Sequence, residues 1–358
     1  MAARIRGRDR PGARGGSGRR ADPAHEPLRL RGDPSPAPVV MRKRPAPFLT
    51  LAIALASCGN QAQEMTVSRA PAAASGAGRP LVVYTVNDPL RYFAERIGGD
   101  RVEVVFPAPA GVDPAHWSPD PEIVAAYQRA DRILLNGAGY ARWVERATLR
   151  RDRLVDTSAG FAEQLIPLDD ALIHSHGPKG DHSHEGFAFT TWLDPKLALE
   201  QAGAVFEAFV AARPDNEAAF RAGFDALAAD LRALDERLAS AAARIGDAPL
   251  LFSHPVYPYL ARRYALNGQS LHWEPDQAPD ETQWRELEAR LAGHPAQWMI
   301  WEAAPRAETV RRLETMGLRA LVYAPSGNAP DEGDFLSVMV RNVGALEAAT
   351  RSPETEAR

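Results

Sequence analysis

The chain has 358 residues, of which 42 are Lys or Arg, 46 are Asp or Glu and one is Cys, with a formal net charge of −4 at pH 7. That length suits two lobes of ordinary domain size, and a lone Cys excludes an intrachain disulfide. The acidic excess argues against nucleic acid as a partner, because a phosphate backbone needs a basic surface.

Residues 1–40 are rich in Arg, Pro and Gly and lack apolar periodicity, so they are read as disordered or as an extension upstream of a start at Met41. Residues 41–57 read as a signal peptide: Arg42-Lys43-Arg44, an apolar run from Phe48 to Ala56, then small residues up to Cys58. A permanent bilayer span needs about 20 apolar residues, and this run is roughly half that. Leu55-Ala56-Ser57-Cys58 resembles the lipobox of bacterial lipoprotein precursors. The resemblance implies that Cys58 is the lipid-bearing first residue of an exported, periplasmic, membrane-anchored protein. Loss of residues 1–57 removes 12 basic and 4 acidic residues and brings the net charge to about −12. Residues 58–79, rich in Ala, Gly and Ser, read as a flexible tether.

From residue 80 the pattern alternates. Strand 81–86 is followed by Asn87-Asp88-Pro89, where Asp88 can cap a helix that continues to Ile97. Strand 101–106, helix 119–130, strand 132–136, helix 139–146 and a short strand near Leu154-Val155 follow, which predicts a parallel α/β sheet. This N-terminal α/β lobe is taken as 80–213, with a His-rich loop at 170–186. Helical periodicity then runs on from Asp194-Pro195. Phe220, Phe224, Leu227, Leu231, Leu234 and Leu238 recur at spacings of three and four, so 214–246 is read as one long helix linking the lobes. A C-terminal α/β lobe, 247–350, repeats the alternation with strands at 249–252, 269–272, 297–301 and 319–323 and helices at 255–264, 280–292, 306–316 and 333–348. The fold class is therefore α/β, with two lobes that each carry a parallel sheet flanked by helices, joined by one long helix, and a cleft between them.

In open α/β sheets ligands bind beyond the carboxyl ends of the strands. His116 falls in the loop after the second strand, and His254 follows the first strand of the second lobe. One histidine at a strand end in each lobe points to a metal, for which neutral imidazole is the commonest ligand. The tract from His174 to Glu185 holds His174, His176, His182 and His184 with two carboxylates, the composition of a metal-capturing loop. G-x-S-x-G, H-E-x-x-H and P-loop motifs are missing, which leaves an enzyme without support.

Several segments in order carry a family resemblance: Val112-Asp113-Pro114-Ala115-His116-Trp117-Ser118-Pro119, Ala130-Asp131 through Asn136-Gly137 with Trp143, Thr191-Trp192-Leu193-Asp194-Pro195, Leu251-Phe252-Ser253-His254 with Tyr264, and Ile300-Trp301-Glu302. Over residues 81–348 the chain resembles the zinc and manganese solute-binding proteins of ABC transporters, the ZnuA-like group. The resemblance implies a metal held in the interlobe cleft and delivery to an ABC permease by a protein that performs no chemistry. His116 and His254 carry over as ligands. Two positions depart from the group: Thr190 stands where it has a further histidine, and Ala324 where it has a late aspartate. Because zinc takes about four ligands, replacements are expected, with Glu302 first and His272 second, and with Glu274 or a histidine of the His-rich loop as further candidates. Asp276 and Asp280 read as caps of the helix that starts near 280. Histidine richness favours Zn(II) over Mn(II), affinity is expected to fall below about pH 6 as imidazoles protonate, and a monomer is expected. The alternative is a metallochaperone or metal sensor that binds through the His-rich loop.

Overall fold

The computed structural model describes residues 79–168, 173–175, 181–183 and 186–350. In the first lobe β1 (Leu81–Thr85), α1 (Asp88–Gly98), β2 (Val102–Val105), α2 (Pro121–Arg129), β3 (Arg132–Leu135) and β4 (Leu154–Asp156) build a sheet of order β2-β1-β3-β4, parallel throughout. Asn87, not Asp88, caps α1: its extended backbone lets the side chain accept from the Leu90 amide at 3.1 Å, while Asp88 is already helical. The helix expected at 139–146 is only a 3-10 turn at Arg142–Glu145. Gly137, Ala138, Gly139 and Ala141 all have positive φ, which no right-handed helix tolerates. Trp143 is nonetheless buried, edge-on to Tyr127 at 4.8 Å.

Two short strands, β5 (Ile173–Ser175) and β6 (Asp181–Ser183), pair antiparallel with His174 opposite His182. His176 and His184, like Cys58 and the whole of 1–78, lie outside the described residues. Next come α3 (Pro195–Ala212) and α4 (Glu217–Ile245). The second lobe follows with β7 (Leu250–Phe252), α5 (Pro258–Tyr264), β8 (Gly268–Ser270), α6 (Glu281–Gly293), β9 (Trp298–Trp301), α7 (Ala307–Thr315), β10 (Arg319–Val322) and α8 (Phe335–Ala349). Its sheet runs β8-β7-β9-β10, parallel, the same order as in the first lobe.

The periodicity of α4 places Phe220, Leu227, Leu231, Leu234, Leu238 and Ala241 on a buried face. That face packs against α1 and α3 of the first lobe and α5 and α8 of the second, so the long helix is a shared core element of both. Gly223 permits the closest approach: a Cβ there would lie 2.6 and 2.7 Å from the carbonyl oxygens of Arg96 and Ile97 at the end of α1. Gly223→Ala is expected to push the two helices apart and cost about 1–3 kcal/mol, read as a lower urea midpoint at unchanged slope. An unaltered midpoint would show that the contact can relax freely.

Candidate metal centre

The shared strand order creates a switch point in each sheet, between β1 and β3 and between β7 and β9, where successive connections leave in opposite directions and a crevice opens. In the first lobe the residues at this point are Asn87, after β1, and Asn136, after β3. Both are buried and hydrogen-bonded, with the Asn87 amide donating to Asn136 Oδ1 at 3.1 Å, Gln201 of α3 donating to the same oxygen at 3.2 Å, and the Asn136 amide donating to Phe189 O at 2.9 Å. The matching residues of the second lobe are His254, after β7, and Glu302, after β9. Equivalent places thus hold a satisfied amide pair in one lobe and an imidazole with a carboxylate in the other.

Backbone bonds fix the second-lobe pair. The Ser253 amide donates to Ile300 O at 2.8 Å and the Trp273 amide to Ser253 O at 2.7 Å, which ties the ends of β7, β9 and the segment after β8 together. Trp273 is buried against Trp284 and Trp301. The Arg306 amide donates to Pro275 O at 3.2 Å, which holds the chain after Glu302 against the chain after Glu274. Ligand atoms of His254, Glu274 and Glu302 consequently lie within 4.8 Å of one another, and all three side chains are partly buried. His254 Nδ1 is 3.6 Å from Glu274 Oε1. Burial, and then the negative charges of Glu274, Asp113 and Asp276, push the Glu302 carboxyl up to about 7.

These residues line a cavity of about 640 Å³ between the lobes. His116 faces it from the first lobe. An Asx turn brings it there: Asp113 Oδ1 accepts from the Ala115 amide at 2.9 Å, and Asp113 O accepts from the amides of His116 and Trp117. The His116 side chain is 42% exposed, with Nε2 3.8 Å from Asp113 Oδ2, and it stands outside the three-residue cluster.

Of the residues expected from sequence, His254 and Glu302 are brought together and His116 lies across the same cavity. His272 stands outside the three-residue cluster, its ring edge-on to His254 at 6.0 Å. Glu274, named above as a further candidate, joins the cluster, next to Trp273, which packs on Trp284 and Trp301. Asp280 caps α6 through a capping box with Gln283, as expected, whereas Asp276 is not the cap of that helix and lines the cavity. The two departures from the resembled group serve other ends. Thr190 Oγ1 donates to Val256 O at 2.6 Å, a bond across the lobes, and both backbone groups of Ala324 are held by the Asn342 amide at 2.8–3.0 Å.

Comparison with known proteins agrees with this architecture. The family model described as "Zinc-uptake complex component A periplasmic" matches residues 83–349. The manganese-binding lipoprotein MntA of Halalkalibacterium halodurans is 25% identical over 63% of this chain and 69% of its own length. The metal ABC transporter substrate-binding lipoprotein FimA of Streptococcus parasanguinis is 24% identical over 56% of this chain, which spans 64% of FimA. Among solved structures, the metal-dependent lipoprotein YcdH of Bacillus subtilis superposes with a TM-score of 0.64 at 22% identity, covering 75% of this chain and 98% of that one. Zn(II)-bound AdcA of Streptococcus pneumoniae gives 0.65 at 20% identity, covering 77% and 58%. No helix among the described residues is long and apolar enough to cross a membrane. With more than half of its length matched, the chain belongs to the zinc-uptake component A family of metal ABC transporter substrate-binding proteins, and is a binding protein and not an enzyme.

Proposed function

We propose that the chain captures Zn(II) in the interlobe cleft and delivers it to an ABC permease while tethered to the membrane through a lipid on Cys58. The observation that carries this reading is the convergence of His254, Glu274 and Glu302 within 4.8 Å at the switch point of the second sheet. Three donors leave a coordination position open for His116 from the facing lobe, and four is the number zinc prefers. Asp113 and Asp276 at the rim, beside the cluster carboxylates, make the cleft negative and draw cations towards it. Zinc stands above manganese in affinity for a given nitrogen and oxygen donor set.

Mn(II) is the second reading, supported by the two carboxylates among the three clustered donors, since oxygen ligands suit manganese. The test is metal content of the protein from Cys58 onward after exposure to equimolar Zn(II) and Mn(II). One equivalent of zinc, retained after deletion of 170–186 and lost in Glu274→Ala, is the expected result. Retention of manganese would transfer the reading to that ion, and loss of all metal with the deletion would favour a chaperone or sensor acting through the His-rich loop. Restoration of zinc-limited growth to cells lacking the chain, by wild type but not by Cys58→Ala, tests delivery and the anchor.

A further inference from the structure

The loop that follows β10 reaches from the second lobe into the first. Ala324 anchors it on Asn342 of α8. Beyond it, Trp192 Nε1 donates to Pro325 O at 2.7 Å, and the Asp88 amide at the start of α1 donates to Gly327 O at 3.0 Å. Ser326, between them, takes a left-handed backbone with φ of 58°, uncommon for a residue with a side chain. These bonds carry Asn328 to the rim of the cleft, where its Nδ2 donates to Pro109 O and to Val112 O, both at 2.7 Å, and its Oδ1 accepts from the Ala329 amide at 2.7 Å.

Pro109 and Val112 bracket the turn that leads straight into Asp113 and His116. We propose that Asn328 is a positioning residue for metal capture: it clasps the His116 loop to the second lobe and so holds His116 opposite the His254, Glu274 and Glu302 cluster. The chemistry suits that task. A primary amide offers two N–H groups, here matched to two carbonyls that a carboxylate or a methyl group could not satisfy. A loop fixed at both carbonyls loses its conformational freedom before the metal arrives, so less entropy is spent when His116 is recruited. The loop's own Asp113 turn shapes the local backbone, and the clasp sets where that turn stands relative to the other lobe.

This inference rests on the cleft reading, and a double-mutant cycle separates the two. Zn(II) affinity is measured by chelator competition, with dissociation rates, for wild type, Asn328→Asp, His116→Ala and the double variant. Asn328→Asp keeps the size of the side chain but sets a carboxylate against two carbonyl oxygens. It is expected to weaken zinc binding by about tenfold, mainly through faster release, as loss of an outer partner of a ligand does, with an unchanged urea midpoint. In the His116→Ala background it is expected to have no further effect, because the residue it acts through is gone. Asn328→Ser, with one donor left, should fall between wild type and Asn328→Asp. Wild-type affinity in Asn328→Asp, or equal losses in both backgrounds, overturns the clasp alone. A wild-type protein that takes up no zinc overturns the cleft reading, and the clasp with it.

Discussion

His254→Ala is expected to lower affinity for the transported metal by more than about 100-fold, beyond the 10- to 100-fold typical of residues that only support a ligand. The imidazole sits at the switch point, is only 15% exposed, and is the nitrogen donor of a cluster whose other members are carboxylates. Its removal leaves Glu274 and Glu302 as two neighbouring negative groups without the neutral donor that completes the set. His116→Ala should cost less, since its side chain is 42% exposed and belongs to the facing lobe. His272→Ala should cost no more than the roughly 10- to 100-fold of a supporting residue, because its ring stands edge-on to His254 at 6.0 Å and outside the cluster. Chelator competition on the three variants reads the order directly. A loss in His272→Ala as large as that in His254→Ala would show that the metal lies deeper than the cavity wall.

Glu302→Gln is expected to abolish tight metal binding and, at the same time, to stabilise the metal-free protein above neutral pH. The sign follows from the raised carboxyl, pushed up to about 7 from an ordinary 4.5 by burial first and by Glu274, Asp113 and Asp276 next. A group whose folded value is raised supports the fold fully below its unfolded value, and that support is lost as pH climbs through the folded one. The metal-free protein should therefore lose stability between about pH 4.5 and pH 7, by on the order of 2 kcal/mol from this group once solvent screening is allowed for. Gln, neutral at every pH, should flatten that part of the profile. Metal binding must expel the proton, so affinity is expected to fall by about tenfold per unit as pH drops below 7. Calorimetry in buffers of different ionisation enthalpy should register about half a proton released from Glu302 at pH 7. Melting curves of the metal-free protein that run parallel for wild type and Glu302→Gln from pH 4.5 to 8 would contradict this account.

The cost at Glu302 is of the kind expected where a site is built ahead of its ligand. Asn87 and Asn136 make the contrast within the same chain. At the equivalent place in the first lobe they share one hydrogen bond, find their other partners in Leu90, Phe189 and Gln201, and are buried without charge. The second lobe instead gathers Glu274 and Glu302, whose charges oppose one another, beside His254.

Much of this was legible in the residues alone, because periodicity reports which face of each segment is buried and needs no knowledge of its neighbours. Alternation of strand and helix in both lobes, the spacing of Phe220 to Leu238 along α4, and the location of His254 and Glu302 after strands were all of that kind. The helix expected at 139–146 was lost to positive φ at Ala138 and Ala141, a backbone choice that apolar spacing does not record. Glu274 and His272 are two residues apart, and sequence offered no reason to prefer the carboxylate. In the folded chain Trp273 packs on Trp284 and Trp301, Glu274 joins the cluster and lines the cavity, and His272 stands edge-on to His254 outside the cluster. Likewise Thr190 reads as a loss until the lobes face one another and bring Val256 within hydrogen-bonding reach, and Ala324 until α8 brings Asn342 to its backbone. The sequence by itself determined the two sheets, the long helix and which strand ends could carry ligands, because those depend on local burial patterns. Only the tertiary structure decided which donors converge and what holds the cleft, because atoms far apart in the chain meet only through strand order and interlobe packing.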